Sequence, residues 1–320
     1  YLHSQENRQI RHEHHDAVEN KSQYPCYITD SPDAAVDELV GREAELETLY
    51  NLIVNQHKKL VLSGVGGLGK TELTKRFLDR LVNTEVITSG IEEIAWIPYD
   101  NQSICISIQR ALRLQCDPSE VWQIIQEKAT QLQNRLLLVI DNVENPEEDE
   151  YLKKISVLQC NILVTSRQKE LQGFSDILYL QPLSELSCRK LFYKHYQFDG
   201  RDDDVLNDII SLTAHLTIMI VFIAKVAYLE GLALHELYGR LVEKGFKLSE
   251  EDVSCEHERL QNDDTIIRQM CILFSLVKYS DADKTILTYV SIIPNLRFEF
   301  KQAKQWFRIQ KNSSLMKLYK

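Results

Sequence analysis

The segment from residue 64 to 71 reads G-V-G-G-L-G-K-T and fits the pattern G-x-x-x-x-G-K-[ST] of a phosphate-binding loop. Glycines let the backbone curl until successive N–H groups point inward at a phosphate, and the following helix adds the positive end of its dipole. Lys70 is expected to reach the outer phosphates of a nucleotide, and the Thr71 hydroxyl to bind Mg2+. The residues predicted to bind the phosphates are Gly64, Gly66, Gly67, Leu68, Gly69, Lys70, Thr71 and Glu72.

The elements on either side of this loop support that interpretation. An apolar run, Leu60-Val61-Leu62, comes before it, and the segment after it repeats apolar residues at helical spacing, through Leu73, Phe77 and Leu81. Two alternatives compete. Three of the glycines also spell G-x-G-x-x-G, a dinucleotide fingerprint, and a glycine-rich turn can arise by chance. Neither alternative requires the Lys-Thr pair that follows, so a phosphate-binding loop for a nucleoside di- or triphosphate is favoured.

A carboxylate and a cation are predicted at the ends of two later strands. Residues 136–142 form an unbroken apolar run that ends in Asp141-Asn142, as in a parallel strand covered on both faces. A carboxylate at such an end lies where ligands bind in open α/β sheets, so Asp141 is expected to hold Mg2+ together with Thr71. A strand at 161–165 leads to Arg167, which could sense a terminal phosphate. The alternatives are an ordinary strand-end aspartate and a solvated arginine.

Strands predicted at 60–62, 94–99, 136–142, 161–165 and 177–180 alternate with helices, which indicates a doubly wound parallel sheet of about five strands. From residue 184 onward the patterns are helical. The predicted fold class is therefore α/β, with an all-α helical domain and a partial winged-helix domain after the sheet. The predicted divisions are a polar linker or helix at 1–36, a nucleotide-binding domain at 37–181, a helical domain at 182–250, and the start of a winged-helix domain at 251–320.

Composition limits the class of protein. The chain has 320 residues, of which 44% are hydrophobic and 26% charged, and a formal net charge of −10, which argues against a general nucleic-acid binder. Its seven scattered cysteines contain no C-x-x-C and favour a reducing, cytoplasmic setting. The most apolar stretch, residues 216–229, is too short to span a bilayer and is predicted to be a buried helix. A histidine cluster at 12–15 is a weaker candidate for metal binding than for a solvated linker.

These motifs, in this order, resemble the signal-transducing STAND NTPases, and among them the NB-ARC group. Beyond the loop, the segments that carry the resemblance are Val40-Gly41-Arg42-Glu43, Leu137 to Asp141, Leu163 to Arg167, and Leu180 to Ser184 followed by Leu191-Phe192. The resemblance implies that ADP holds a closed monomer, and that exchange for ATP opens the chain and lets it oligomerise through the nucleotide-binding domain. It also implies adenine contacts from Val40, Gly41, Arg42, Leu216 and Thr217, and a γ-phosphate sensor at Arg167.

Three departures from the family pattern bear on mechanism. Asn142 stands where a second acid is common, and an amide cannot take a proton from water, so hydrolysis is expected to be slow or to use Glu144. The usual Gly-Leu-Pro-Leu motif is replaced by residues 215–218, which read H-L-T-I and lack its proline. No histidine follows His257, so the winged-helix histidine of many relatives is missing from this chain, and either it lies beyond Lys320 or the protein lacks it.

Three functions are compatible with these features. The favoured one is an ATP/ADP-gated switch in bacterial anti-phage defence or stress signalling, with an N-terminal effector and a C-terminal sensor domain outside this chain. The second is a STAND-type transcriptional regulator that binds DNA through a winged-helix or appended domain. The third, a constitutive ATPase or kinase, lacks a recognisable substrate motif. The Asp141, Glu144 and Arg167 side chains are the catalytic candidates.

Overall fold

A computed structural model of the protein describes residues 23–36, 38–99, 103–144, 149–198, 202–249 and 259–277, together with 281 and 284. Its centre is a six-stranded sheet in the order β1-β3-β4-β5-β2-β6, and every neighbouring pair is parallel. The strands are β1 (Cys26–Tyr27), β2 (Lys59–Ser63), β3 (Glu93–Pro98), β4 (Leu136–Val143), β5 (Asn161–Ser166) and β6 (Asp176–Tyr179).

All five predicted strands are present, and the predicted doubly wound α/β class is confirmed. The sixth strand, β1, lies within the range predicted as a linker, where it pairs with Glu93 and Ile94 at the edge of the sheet. Two residues after a proline are too few to show the alternation that marks a strand in sequence. Strand β1 is therefore recognised only from its pairing with β3.

Helices cover the sheet on both faces and continue after it. They are α1 (Glu43–Tyr50, prolonged by a π-helical turn at Asn51–Asn55), α2 (Lys70–Val82), α3 (Val86–Ser89), α4 (Ile104–Ala111), α5 (Pro118–Leu132, followed by a 3-10 turn at Gln133–Arg135), α6 (Glu150–Ile155), α7 (Glu185–His195), α8 (Asp203–Ser211), α9 (Thr217–Glu230), α10 (Leu234–Glu243) and α11 (Arg259–Leu276).

The sheet separates two hydrophobic cores because successive side chains of a strand point to opposite faces. In β4, Leu137 and Val139 belong to one core, whereas Leu136, Leu138 and Ile140 belong to the other. The first core also contains the buried faces of α1, α2 and helices α7 to α11. The second is closed by α4, α5 and α6. Strand β4 is therefore apolar on both faces from Leu136 to Ile140, as its sequence predicted.

The helical region after the sheet is built around α9. Its residues Met219, Ile220, Ile223, Ala224, Val226 and Ala227 are all buried, which confirms the predicted buried helix. Of the helices described, none is by itself long and apolar enough to cross a membrane, although α9 and α10, bent by 115°, meet the length and composition test as a pair. Most of the predicted winged-helix segment lies outside the described residues, and so does the histidine cluster.

Some helices had no clear signal in the sequence. Helix α11 begins at Arg259, and its polar first residues show no apolar periodicity that would mark this start in the sequence. Helices α3 and α6 are short, and α6 depends on its cap. The buried carboxylate of Asp149 accepts bonds from the N–H groups of Tyr151 and Leu152 at 3.0 and 3.1 Å.

Asp149 also links α6 to α4, and this linkage can be tested. Its Oδ2 accepts a bond from the Ile104 N–H at 2.5 Å and one from the Tyr99 hydroxyl at 3.2 Å, and the residue is only 5% exposed. The Asp149→Asn variant places an amide N–H2 against these donors. We expect it to lose about 2 kcal/mol in the free energy of unfolding, measured by urea denaturation.

Asp202→Asn is the matched control. Asp202 caps α8 through the Val205 N–H in a more exposed position, and asparagine is an equally good cap, so a change below about 0.5 kcal/mol is expected. Equal losses in the two variants would show that Asp149 acts only as a helix cap.

Candidate functional site

The glycine loop connects the carboxyl end of β2 to the first turn of α2, as its motif predicted. Gly69, with φ +95°, precedes the helix in the left-handed region, and nothing lies within 4 Å of where its Cβ would be. The Lys70 ammonium reaches back over the loop and donates to the carbonyl oxygens of Gly64 at 2.6 Å and Val65 at 3.0 Å. The loop is therefore curled around its own lysine, which lies within reach of any anion bound there.

The predicted magnesium ligands lie together at the carboxyl edge of the sheet. The Thr71 hydroxyl donates to Oδ1 of Asp141 at 3.0 Å, although the two residues are seventy positions apart in sequence. Hydroxyl and carboxylate oxygens are the hard ligands that Mg2+ prefers, so this donor set fits the ion. Among the described residues, no group of three or more His, Cys, Asp or Glu side chains could hold a metal on its own.

Thr165 belongs to this cluster but was given no role by the sequence. Its hydroxyl donates to the same Asp141 Oδ1 at 2.6 Å and accepts from the Asn142 N–H at 2.8 Å. Thr165 lies at the end of β5, the strand that leads into Arg167, and β5 lies between β2 and β4, the strand that carries Asp141. The Thr165 hydroxyl therefore connects the ends of β4 and β5. The available signal was the change from apolar to polar residues at the end of β5.

Asn142 occupies a distorted position in β4. Its φ is +69°, and the pairing of β4 with β5 is irregular between Ile140 and Val143. Asparagine tolerates this left-handed conformation better than most residues with a side chain. The position after Asp141 thus carries an amide, which accepts no proton, while the next carboxylate is that of Glu144.

Arg167 lies directly beside the phosphate loop. A Cβ on Gly66 would be 3.3 Å from the Arg167 guanidinium carbon, so the glycine leaves room for this side chain. The Arg167 Nη2 is 3.4 Å from Oε1 of Glu144. The structure therefore brings the two predicted catalytic candidates, Glu144 and Arg167, together with the loop. Both side chains are about one-third exposed, which leaves them accessible to a ligand.

Three of the residues predicted to contact adenine, Val40, Gly41 and Arg42, make contacts with other parts of the protein. Arg42 is 4% exposed, and its guanidinium donates to Glu45 and to the Leu68 carbonyl. Gly41 packs closely against Ser187 of α7, and Val40 packs against the first core. None of these contacts tests the predicted contact with the base, which stays a prediction.

The remaining predicted ligands are Leu216, Thr217 and Glu72. The Leu216 side chain is fully buried, and the Thr217 hydroxyl donates to the Leu68 carbonyl at 3.2 Å. The Glu72 carboxylate binds the Lys75 ammonium and accepts from the Val36 N–H, so only the Glu72 backbone remains for a phosphate. Sequence reasoning missed Ile218, whose N–H donates to the Gly67 carbonyl at 3.0 Å.

Comparison with protein families gives a match to the AAA domain over residues 54–182, which include β2 to β6, the phosphate loop, Asp141, Glu144 and Arg167. Residues 54–182 are an AAA-type P-loop NTPase domain, and they form a nucleotide-binding module. This is a coarser description than the NB-ARC resemblance of the sequence. The search of curated proteins gave no match.

Solved structures with related folds are distant. The Walker-type ATPase of Pyrococcus abyssi is 13% identical with a TM-score of 0.49, over 68% of this chain and 76% of that one. The ORC2 protein of Aeropyrum pernix is 14% identical with a TM-score of 0.47, over 91% and 89% of the two chains. A chain of Drosophila ORC bound to DNA is 12% identical with a TM-score of 0.48, over 98% and 95%. These similarities transfer neither a ligand nor a partner to this chain.

Proposed function

We propose that this chain is an ATP/ADP-gated switch of the STAND class, NB-ARC group, which turns nucleotide over slowly. The observation that carries the proposal is the position of Arg167. Its guanidinium packs on Gly66 of the phosphate loop and pairs with the Glu144 carboxylate at 3.4 Å. A cation with an alternative carboxylate partner can exchange that partner for a γ-phosphate, and so respond differently to ATP and to ADP.

The chemistry of the site favours slow hydrolysis. Thr71 and Asp141 would hold Mg2+, which neutralises charge on the outer phosphates when bound. The Asn142 amide cannot serve as a base, and Glu144 is engaged by Arg167 when no γ-phosphate competes for the guanidinium. ATP binding would draw Arg167 toward the phosphate and release Glu144 to activate water. Hydrolysis would then reset the switch.

A switch of this kind implies self-association, an effector and a sensor domain as its partners. In the closed ADP form the helical region packs on the nucleotide-binding module, and exchange for ATP would free a surface of that module for self-association. The effector and the sensor domain would lie outside this chain. The role in bacterial anti-phage defence or stress signalling rests on the family resemblance. No specific contact among the described residues favours DNA binding, and the net charge of −10 opposes it.

The test uses the full-length protein purified with ADP or with a slowly hydrolysed ATP analogue, each with and without a trigger-containing extract of stressed or infected cells. Size-exclusion chromatography with light scattering is expected to show a monomer with ADP and a larger assembly with the analogue and trigger. An assembly state that never changes with nucleotide and trigger would contradict the switch.

Arg167→Gln tests the sensor separately. Loss of one charge-assisted contact to the γ-phosphate is expected to weaken binding of the ATP analogue about tenfold, with little effect on ADP. Arg240→Gln, which removes a surface arginine paired with Glu236 on α10, is the control and should leave both affinities unchanged. Calorimetric titration of each variant measures the two affinities, and an equal loss for ADP and the ATP analogue would show that Arg167 does not distinguish them.

A further inference from the structure

Two consecutive carbonyl groups of the phosphate loop are held from outside the loop. The Gly67 carbonyl accepts from the Ile218 N–H at 3.0 Å. The Leu68 carbonyl accepts from the Thr217 hydroxyl at 3.2 Å and from Nη2 of Arg42 at 3.3 Å. The segment before α1 and the first turn of α9 therefore meet at the same point of the loop.

This anchoring determines where the loop amides point. No cis peptide bond occurs in the described residues. In a planar trans peptide, the carbonyl of one residue and the N–H of the next point in opposite directions. Because the Gly67 and Leu68 carbonyls face α9 and Arg42, the N–H groups of Leu68 and Gly69 face the other way. These are loop amides of the kind that cradle phosphates.

We propose that the first turn of α9, together with Arg42, positions the phosphate cradle from behind, and that Thr217 and Arg42 act as positioning residues through the Leu68 carbonyl. This inference rests on the proposed nucleotide binding. It assigns to the helical region a direct effect on phosphate affinity that needs no contact with the base. By linkage, a phosphate bound to the cradle stabilises the docked position of α9.

Close packing supports the same interface. A Cβ on Gly67 would lie 2.4 Å from Cγ2 of Ile218, so the loop backbone and the first turn of α9 are in contact without room for a side chain. Leu68 is 1% exposed, so its side chain is enclosed where its carbonyl is bound. A shift of α9 would therefore displace the loop backbone as well as break the hydrogen bonds.

Thr217 is a suitable residue for substitution because proline is compatible with its position. Leu216 before it is extended, with φ −72° and ψ 117°, as a residue before proline must be, and proline is favoured at the first position of a helix. Proline lacks the hydroxyl, and valine replaces it with a methyl group of similar size. Thr217→Pro and Thr217→Val thus remove the bond to Leu68 without breaking α9.

The first measurement is the affinity for Mg-ADP by calorimetric titration. We expect about fivefold weaker binding in Thr217→Val and Thr217→Pro, whereas Thr217→Ser, which keeps the hydroxyl, should bind like the wild type. Thr130→Val removes an equivalent hydroxyl bond, to the Gln126 carbonyl on the exposed face of α5, and should change nothing. Arg42→Lys shortens the second donor to Leu68, and its effect should be non-additive with that of Thr217→Val because the two share an acceptor.

The second measurement is amide hydrogen exchange in the first turn of α9, residues 217–222, with and without ADP. ADP is expected to slow this exchange in the wild type and in Thr217→Ser, and to slow it less in Thr217→Val. If Thr217→Val matches the wild type in affinity and in protection by ADP, the inference is wrong and the switch still stands. A wild-type chain that binds no nucleotide overturns both. Should Thr217→Val unfold, the comparison of Thr217→Pro and Arg42→Lys with Thr217→Ser decides.

Discussion

Lys70→Ala is expected to abolish retention of nucleotide by the purified protein. The Lys70 ammonium lies over the loop and donates to the carbonyl oxygens of Gly64 and Val65, and it would exchange these bonds for bonds to phosphate oxygens. Loss of this charge should weaken ADP binding by about 3 kcal/mol or more, which is at least about a hundredfold. Denaturing the wild-type protein should release about one nucleotide per chain, detectable by chromatography, and denaturing the variant should release almost none.

Lys58→Ala is the control for that experiment. Lys58 pairs with Asp176 on the surface, just before the amino end of β2, so its removal changes the net charge equally without altering the loop. It should retain nucleotide like the wild type. A wild-type protein that is empty after purification and also fails to bind added ADP would contradict nucleotide binding itself.

Gly67→Ala is expected to destabilise both the fold and the nucleotide site. The residue has φ +85°, a strained conformation for alanine, and the new Cβ would lie 2.4 Å from Cγ2 of Ile218. Strain and overlap together should lower the free energy of unfolding by about 3 kcal/mol, measured by urea denaturation. ADP affinity should fall as well, because the loop cannot keep its backbone in place beside α9.

Gly90→Ala separates the effect of backbone strain from the effect of overlap with a neighbouring side chain. Gly90 has φ +69°, and nothing lies within 4 Å of the Cβ position, so only backbone strain of about 1 kcal/mol is expected there. Adding Ile218→Ala to Gly67→Ala removes the methyl at 2.4 Å and should recover part of the difference. If Gly67→Ala costs no more than Gly90→Ala, the loop and α9 are not packed as closely as described.

The features that could be predicted from sequence are those that depend on neighbouring residues. The loop from Gly64 to Thr71 requires glycines at fixed spacing, and the fully apolar run that ends in Asp141 requires burial on both faces. Both patterns are local, so the phosphate loop, the five longer strands and the buried helix α9 can be predicted from the sequence. Helix α6 was missed because its signal is a single capping carboxylate, Asp149.

The features that could not be predicted are contacts between distant segments. Nothing near Thr165 in the sequence shows that its hydroxyl meets Asp141, because that contact depends on β5 lying beside β4. The pairing of Arg167 with Glu144 likewise depends on the irregular end of β4. The sequence shows at residue 217 only a threonine in place of the family's proline, whereas in the structure the hydroxyl of this threonine donates to the Leu68 carbonyl of the phosphate loop.

By itself, the sequence determined that this chain has a phosphate loop between a strand and a helix, an acid at the end of a buried parallel strand, and an arginine at the end of another. Tertiary structure alone decided that β5 lies between β2 and β4, and that α9 and Arg42 hold the back of the loop. The physical reason is that backbone conformation and burial pattern follow from nearby residues, whereas hydrogen bonds between segments far apart in the chain arise only when packing brings them together.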